Sequence, residues 1–211
     1  MGAFQGSLTF KQFHVLDPLP NDWKVTFQKG IERHIFRELD PASEVERSTG
    51  WCSPHFPLDL ALDSETYHYN EYLILGFRVD VWSIPASTLK IYCEAEARRV
   101  MREQKRESLP RYERAEIRER VLQDLKRKTV PTIRCVDMVW HWRDGTVRFF
   151  ATSQKINLEF QDCFENSFGL RLLPDGPMAR ALYGAGGLAE NDHPRFDAIE
   201  PQSFLSARGG R

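Results

Sequence analysis

Apolar positions along this chain follow two periods, and the switches between them mark out the elements. The stretch SLTFKQFHVL, residues 7–16, alternates enough to predict a strand, which Asp17 and Pro18 end. Trp23, Phe27, Ile31 and Ile35 then recur at every fourth position, one stripe of a helix that Asn21 or Asp22 can cap. Residues 40–62 (DPASEVERSTGWCSPHFPLDLAL) are broken by Pro and Gly and read as irregular. EYLILGFRVDVWSI, residues 71–84, is the most apolar run and predicts a central strand that Pro85 stops.

Helical spacing resumes from about Ala86 to Glu107, with Ser83 or Ser87 as cap candidates. Ser108-Leu109-Pro110 breaks it, Pro110 suits the first turn of a second helix reaching Lys128, and Pro131 prevents extension. TIRCVDMVWHW (132–142) and TVRFFATS (146–153) read as strands, and Asp144-Gly145 between them is a hairpin signal. Ser153 can cap a helix with Ile156, Phe160, Cys163 and Phe164 on one face, and Gly169 can end it. A short strand, LRLLP (170–174), follows. Residues 175–211 are rich in Gly, Pro and Ala and read as a tail that is mobile alone or ordered only against a partner. The expected fold is α+β: a mixed or antiparallel sheet, packing helices, and a charged helical hairpin projecting at 86–128.

Length and composition fit one domain. Fourteen Phe and five Trp among 211 residues supply bulk for a real core. No apolar run approaches the roughly 18–20 residues that span a bilayer. Met1–Phe13 lacks the basic and apolar regions of a signal peptide, so the expected location is the cytoplasm. Cys52, Cys93, Cys135 and Cys163 form no CxxC pair and read as ordinary buried thiols.

Charge changes the picture more by its distribution than by its sum. The net charge is only −1, yet residues 98–128 hold twelve Lys and Arg against six acids. Such segregation can attract a polyanion to a neutral molecule. On the first helix of the hairpin Arg98, Arg99, Arg102, Lys105 and Arg106 fall within about a third of the circumference, at roughly 100° per residue. Leu89, Cys93, Ala97 and Val100 lie opposite and are expected to bury against the body. The second helix has an apolar stripe of Ile117, Val121 and Leu125, flanked by Arg114 and Arg118. Its outer face offers acid-first pairs, Glu116 with Arg120 and Asp124 with Lys128. Lys126, Arg127 and Lys128 complement its C-terminus. From the residues alone three readings stay open: a solvated helix pair, a phosphate-binding surface, or a protein-docking arm.

Enzyme chemistry has little support. Cys52 and His55 have a C-x-x-H spacing without a second ligand pair nearby, and His14, His34, His68 and His141 are scattered. The GAGG at Gly184–Gly187 follows no strand, which argues against a phosphate loop. Asp59, Asp63 and Glu65 are close enough for a metal-dependent nuclease, but a capping or solvated role suits their loop setting better. No cofactor or metal is expected, and a non-enzymatic protein is the reading. Trp140 and Trp142 share a strand face with Val136 and Met138, which fits a core role. A single-strand stacking platform beside Arg134, Arg143 and Arg148 is the alternative.

The order of motifs resembles RdgC, the bacterial recombination-associated DNA-binding family. LTFKQFHVLDPLP looks like its opening strand and GWCSP like its Gly-Trp-x-x-Pro segment. EYLILGFRVDVWSIPASTLK is similar to its strand running into a Pro-started helix, ahead of a long charged insertion. TVRFFATSQKIN matches the hairpin and the Ser-x-Lys-Lys-Ala-Glu helix start, with Ile156 and Asn157 in place of the second lysine and the alanine. The resemblance covers about residues 6–174 and is to a shortened form, with the Gly-rich tail standing where longer members continue. It implies an RdgC-like domain at 1–174 with the helical insertion at 86–128, and a tail at 175–211.

What the resemblance implies is sequence-independent binding of double-stranded DNA by a dimer-forming, nucleoid-associated protein that limits recombinase or nuclease access. The expected contacts are Arg98, Arg99, Arg102, Lys105, Arg106, Arg111, Lys126, Arg127, Lys128 and Lys155. The competing class is a protein-interaction module using the charged hairpin and the tail, with Phe196, Ile199, Phe204 and Leu205 as anchors.

Overall fold

A computed structural model describes residues 2–4 and 8–183. The two most apolar stretches pair with each other: Tyr72–Val81 (β4) and Thr132–His141 (β5) run antiparallel from Tyr72 opposite His141 to Val81 opposite Thr132. Around them form β1 (Lys11–Val15), β2 (Arg47–Cys52), β3 (His68–Tyr69), β6 (Thr146–Phe149) and β7 (Leu172–Pro174). The sheet order is β2-β4-β5-β6-β1-β7, with β3 also on β4, and among the described residues these strands all pair antiparallel.

Period-two alternation gives the sheet two different faces. Leu73, Leu75, Phe77 and Val79 of β4 join Val136, Met138 and Trp140 of β5 in the main core. Two helices pack on that core: α1 (Trp23–Arg33), with Phe27 and Ile31, and α5 (Gln154–Phe168), with Ile156, Phe160, Phe164 and Phe168. The Phe149 and Phe160 rings stack at 4.0 Å. Gly169, left-handed at φ 68°, ends α5 as its position promised. Trp140 is wholly buried in this core, whereas Trp142 is half-buried and donates Nε1–H to the Asn70 carbonyl.

The other face is more polar. Arg78 and Asp80 form a buried bidentate pair at 2.9 and 2.6 Å, and the guanidinium also lies 4.0 Å from the Phe36 ring centroid. Cys52 donates to or accepts from Cys135 on this side. That contact and burial push the Cys52 thiol up, and the same contact holds the Cys135 thiol down.

Three expectations need correction. Residues 47–52 are not irregular but strand β2, because β4 supplies a complete edge for RSTGWC to pair with. Ile35 does not continue the α1 stripe; the helix stops at Arg33 and Ile35 bridges to Trp51. The tail does not begin at Asp175, whose N–H donates to the Gln12 carbonyl and whose carboxylate holds Arg180 at 2.6 Å and faces His14 at 3.0 Å. These contacts seat a further helix, α6 (Pro177–Tyr183), with Ala179 buried. The Gly184–Gly187 stretch and the anchors Phe196, Ile199, Phe204 and Leu205 lie outside the described residues. A short helix, α2 (Ser64–Tyr67), precedes β3.

Candidate nucleic-acid interface

Between β4 and β5 the chain makes α3 (Ala86–Glu103) and α4 (Arg111–Lys128), each about 27 Å long at roughly 1.5 Å per residue. Leu89, Leu109, Ile117, Val121 and Leu125 form an apolar cluster separate from the main core, with Cys93, Ala97 and Val100 packed on it. The apolar side of α3 therefore faces α4 and not the sheet, contrary to the expectation that it buries against the body. Physically, the two stripes satisfy each other.

The first helix is shorter than its pattern suggested, and the reason is a specific C-terminal turn. Lys105 is left-handed at φ 51°. The Lys105 N–H donates to the Arg102 carbonyl and the Arg106 N–H to the Met101 carbonyl, at 3.3 and 2.9 Å. This is the Schellman arrangement, in which glycine is the usual occupant of the left-handed position. A lysine there accepts a Cβ penalty of about 1–2 kcal/mol.

That turn brings Arg98, Arg102, Lys105 and Arg106 around one shallow concavity of about 420 Å³, with Met101 and Glu107. Arg98, Arg102 and Lys105 are exposed and make no ion pair among the described residues. Arg106 is tied to Glu113 of α4 at 2.8 Å. Arg99 lies on the same side of the helix but is held by Glu96 at 2.6 Å. The carboxylate of Glu96 also takes Arg120 of α4 at 2.7 Å, so one acid staples the helices together. The Arg99 hydrogen bonds, followed by its charge and that of Arg120, hold the Glu96 carboxyl below its ordinary range.

On α4 the expected acid-first pairs are replaced. Arg120 reaches across to Glu96 and not back to Glu116, and Asp124 approaches Arg127 at 3.9 Å. Arg111, Arg127 and Lys128 are exposed. Lys126 is not: it is 3% exposed, and its ammonium donates to the Ser43 carbonyl at 3.2 Å. Lys126 therefore leaves the set of expected phosphate contacts, because its ammonium already fills a buried hydrogen-bonding role at the root of α4. Lys155 is exposed on the first turn of α5, an element apart from the α3–α4 pair.

Other candidate chemistry resolves into local roles. Asp63 caps α2 by accepting from the Thr66 N–H and hydroxyl, and Asp59 accepts from the Ala61 N–H. His55 meets the Tyr69 hydroxyl at 2.9 Å. Among the described residues no three His, Cys, Asp or Glu side chains stand where they would hold a metal ion. Also among them, no helix is long and apolar enough to cross a membrane. Trp142 lies against Trp23, with Arg143 over its ring at 5.3 Å, but that Arg143 is paired with Glu71 at 2.9 Å. No protein-family model matches this chain, and no curated protein matches it either.

Proposed function

We propose that this protein binds double-stranded DNA without reading its sequence, through the α3–α4 pair, and thereby restricts access of recombination proteins to the duplex. The observation that carries this reading is the concavity where Arg98, Arg102 and Lys105 stand exposed and unpaired beside Arg106. Free guanidinium and ammonium groups at one helix end neutralise phosphates and release counterions, a sequence-independent source of affinity. A 27 Å helix runs along about eight nucleotide steps of one strand, at roughly 3.4 Å each, so Arg111, Arg127 and Lys128 along α4 extend the same electrostatic track. The motif order shared with the RdgC family supports the same reading, including assembly as a dimer and association with the nucleoid. The proposed activity needs no bond-making step.

The test is fluorescence anisotropy with an unrelated-sequence duplex and a matching single strand over a range of salt. With six cations engaged, the log–log slope for duplex is about −5. Absence of salt-dependent duplex binding overturns the reading. A preference for the single strand would move the interface to the Trp142 end of the sheet. A protein-docking arm is the second reading, favoured by the exposed Ile91, Tyr92 and Tyr112 on the same helices. It requires that Ile91 and Tyr92 substitutions abolish partner binding while leaving the anisotropy unchanged.

A further inference from the structure

The polar face of the sheet carries a thiol pair that DNA binding does not use. Cys52 on β2 and Cys135 on β5 lie on either side of β4, and their sulfurs are 3.6 Å apart. The residue of β4 beneath them is Gly76. A Cβ at that position would stand 2.8 Å from the Cys52 sulfur and 3.0 Å from the Cys135 sulfur, so the missing side chain is what lets the thiols meet. Cys135 also lines a cavity of about 280 Å³ with Pro54, His55, Pro57 and Asp137, which gives the pair a route to solvent.

A disulfide fits this geometry poorly. A whole strand separates the two backbones, which at about 4.8 Å per strand spacing sets them some 9–10 Å apart. A disulfide requires Cα atoms about 4.4–6.8 Å apart. A metal ion between the sulfurs asks for less. Two collinear metal–thiolate bonds of about 2.3 Å place sulfurs roughly 4.6 Å apart, so the pair needs to open by only about 1 Å. The neighbouring groups are otherwise engaged: Asp137 accepts from the Ala3 N–H at 2.7 Å, and His55 is bound to Tyr69. Two sulfur donors without a third ligand favour a soft cation over zinc, magnesium or calcium.

We propose that Cys52 and Cys135 form a two-coordinate thiolate site for a soft d¹⁰ cation of the Cu(I) class. Binding breaks the two S–H bonds, sends both protons to solvent and forms two sulfur–metal bonds. The metal and the sulfurs keep their oxidation states, so no oxidant or reductant takes part.

The test uses the full chain, fully reduced and kept anaerobic, titrated with Cu(I) against the chromophoric chelator bicinchoninate. One equivalent is withdrawn by the native protein and by a Cys93→Ser/Cys163→Ser double variant. That equivalent is lost in Cys135→Ser, whose partly exposed position tolerates the change, with circular dichroism confirming the fold. Cys52→Ser gives the second arm. Failure of the native protein to withdraw Cu(I), or retention of the equivalent by folded Cys135→Ser, overturns the site. Peptide mapping that recovers a Cys52–Cys135 disulfide from mildly oxidised, metal-free protein also overturns it, in favour of a redox pair.

Discussion

Glu96 on α3 accepts from Arg120 on α4 at 2.7 Å while it holds Arg99 of its own helix at 2.6 Å. One carboxylate thus joins the two helices and neutralises cations that would otherwise face solvent. In the proposed function, internal pairing and phosphate binding compete for the same guanidinium groups, and the balance is open to measurement.

Glu96→Gln frees Arg99 and Arg120. Duplex affinity is expected to rise, and the salt slope to steepen by up to about 1.8, near 0.9 for each phosphate newly engaged. The same change slightly lowers the thermal midpoint. The lowered Glu96 carboxyl contributes stability above its ordinary range, and that contribution is lost as pH falls through the lowered value. Wild-type and Glu96→Gln melting curves therefore converge in acid.

Lys105→Gly relieves a left-handed residue and removes a cation at one stroke. Stability in urea is expected to rise by about 1 kcal/mol, while the duplex salt slope becomes shallower by about 0.9. A variant that is more stable and binds equally well would place Lys105 outside the interface.

Lys126 and Lys128 are two residues apart but are expected to behave differently. Lys128→Ala reduces the salt slope by about 0.9 and leaves the fold unchanged. Lys126→Ala leaves the slope unchanged and lowers stability by about 1–3 kcal/mol, because the buried Lys126 stem is lost and the Ser43 carbonyl loses its donor. Paired urea melts and anisotropy titrations on the two variants separate these outcomes.

Phe160 stacks on Phe149 at 4.0 Å and is wholly buried between α5 and the sheet. Phe160→Ala is expected to cost about 3–5 kcal/mol in equilibrium urea unfolding. The α3–α4 pair has its own apolar cluster, so the variant's helical signal should fall less steeply than its near-ultraviolet aromatic signal.

Asp175 is held down to about 2, first by its hydrogen bonds to Arg180 and then by that to His14. A depressed carboxyl stabilises the folded state above its ordinary value near 3.8, and the contribution disappears as pH falls toward 2. Hydrogen exchange should show α6 loosening across that interval, and Asp175→Asn should loosen it already at neutral pH. Unchanged α6 protection in the variant would show that Ala179 packing alone seats the helix.

Much of the architecture was legible in the chain. The apolar runs of β4 and β5, the four-residue stripe of α1, the aromatic face of α5 and the glycine that ends it are local patterns, and local periodicity decides them. RSTGWC carries no such pattern; it becomes β2 because β4 offers an edge, and hydrogen bonding to that edge outweighs weak local preference. The charged helices were equally plain, as was the shared face of Arg98 and Arg102, since helical geometry places them; Lys105 joins them only through the left-handed turn that follows Glu103.

Partners remote in sequence belong to the tertiary structure alone. Sequence spacing points Arg120 at Glu116, yet Glu96, 24 residues away, takes it, because α3 packs beside α4 and Arg99 already fixes the Glu96 carboxylate in place. Lys126 looks like its neighbours until the Ser43 carbonyl, 83 residues distant, accepts its hydrogen bond. Cys52 and Cys135 are likewise 83 residues apart, and they meet only because antiparallel pairing sets both beside a glycine of the strand between them. Periodicity determines which residues share a face; which groups on that face touch is decided by register and packing, which no window of sequence contains.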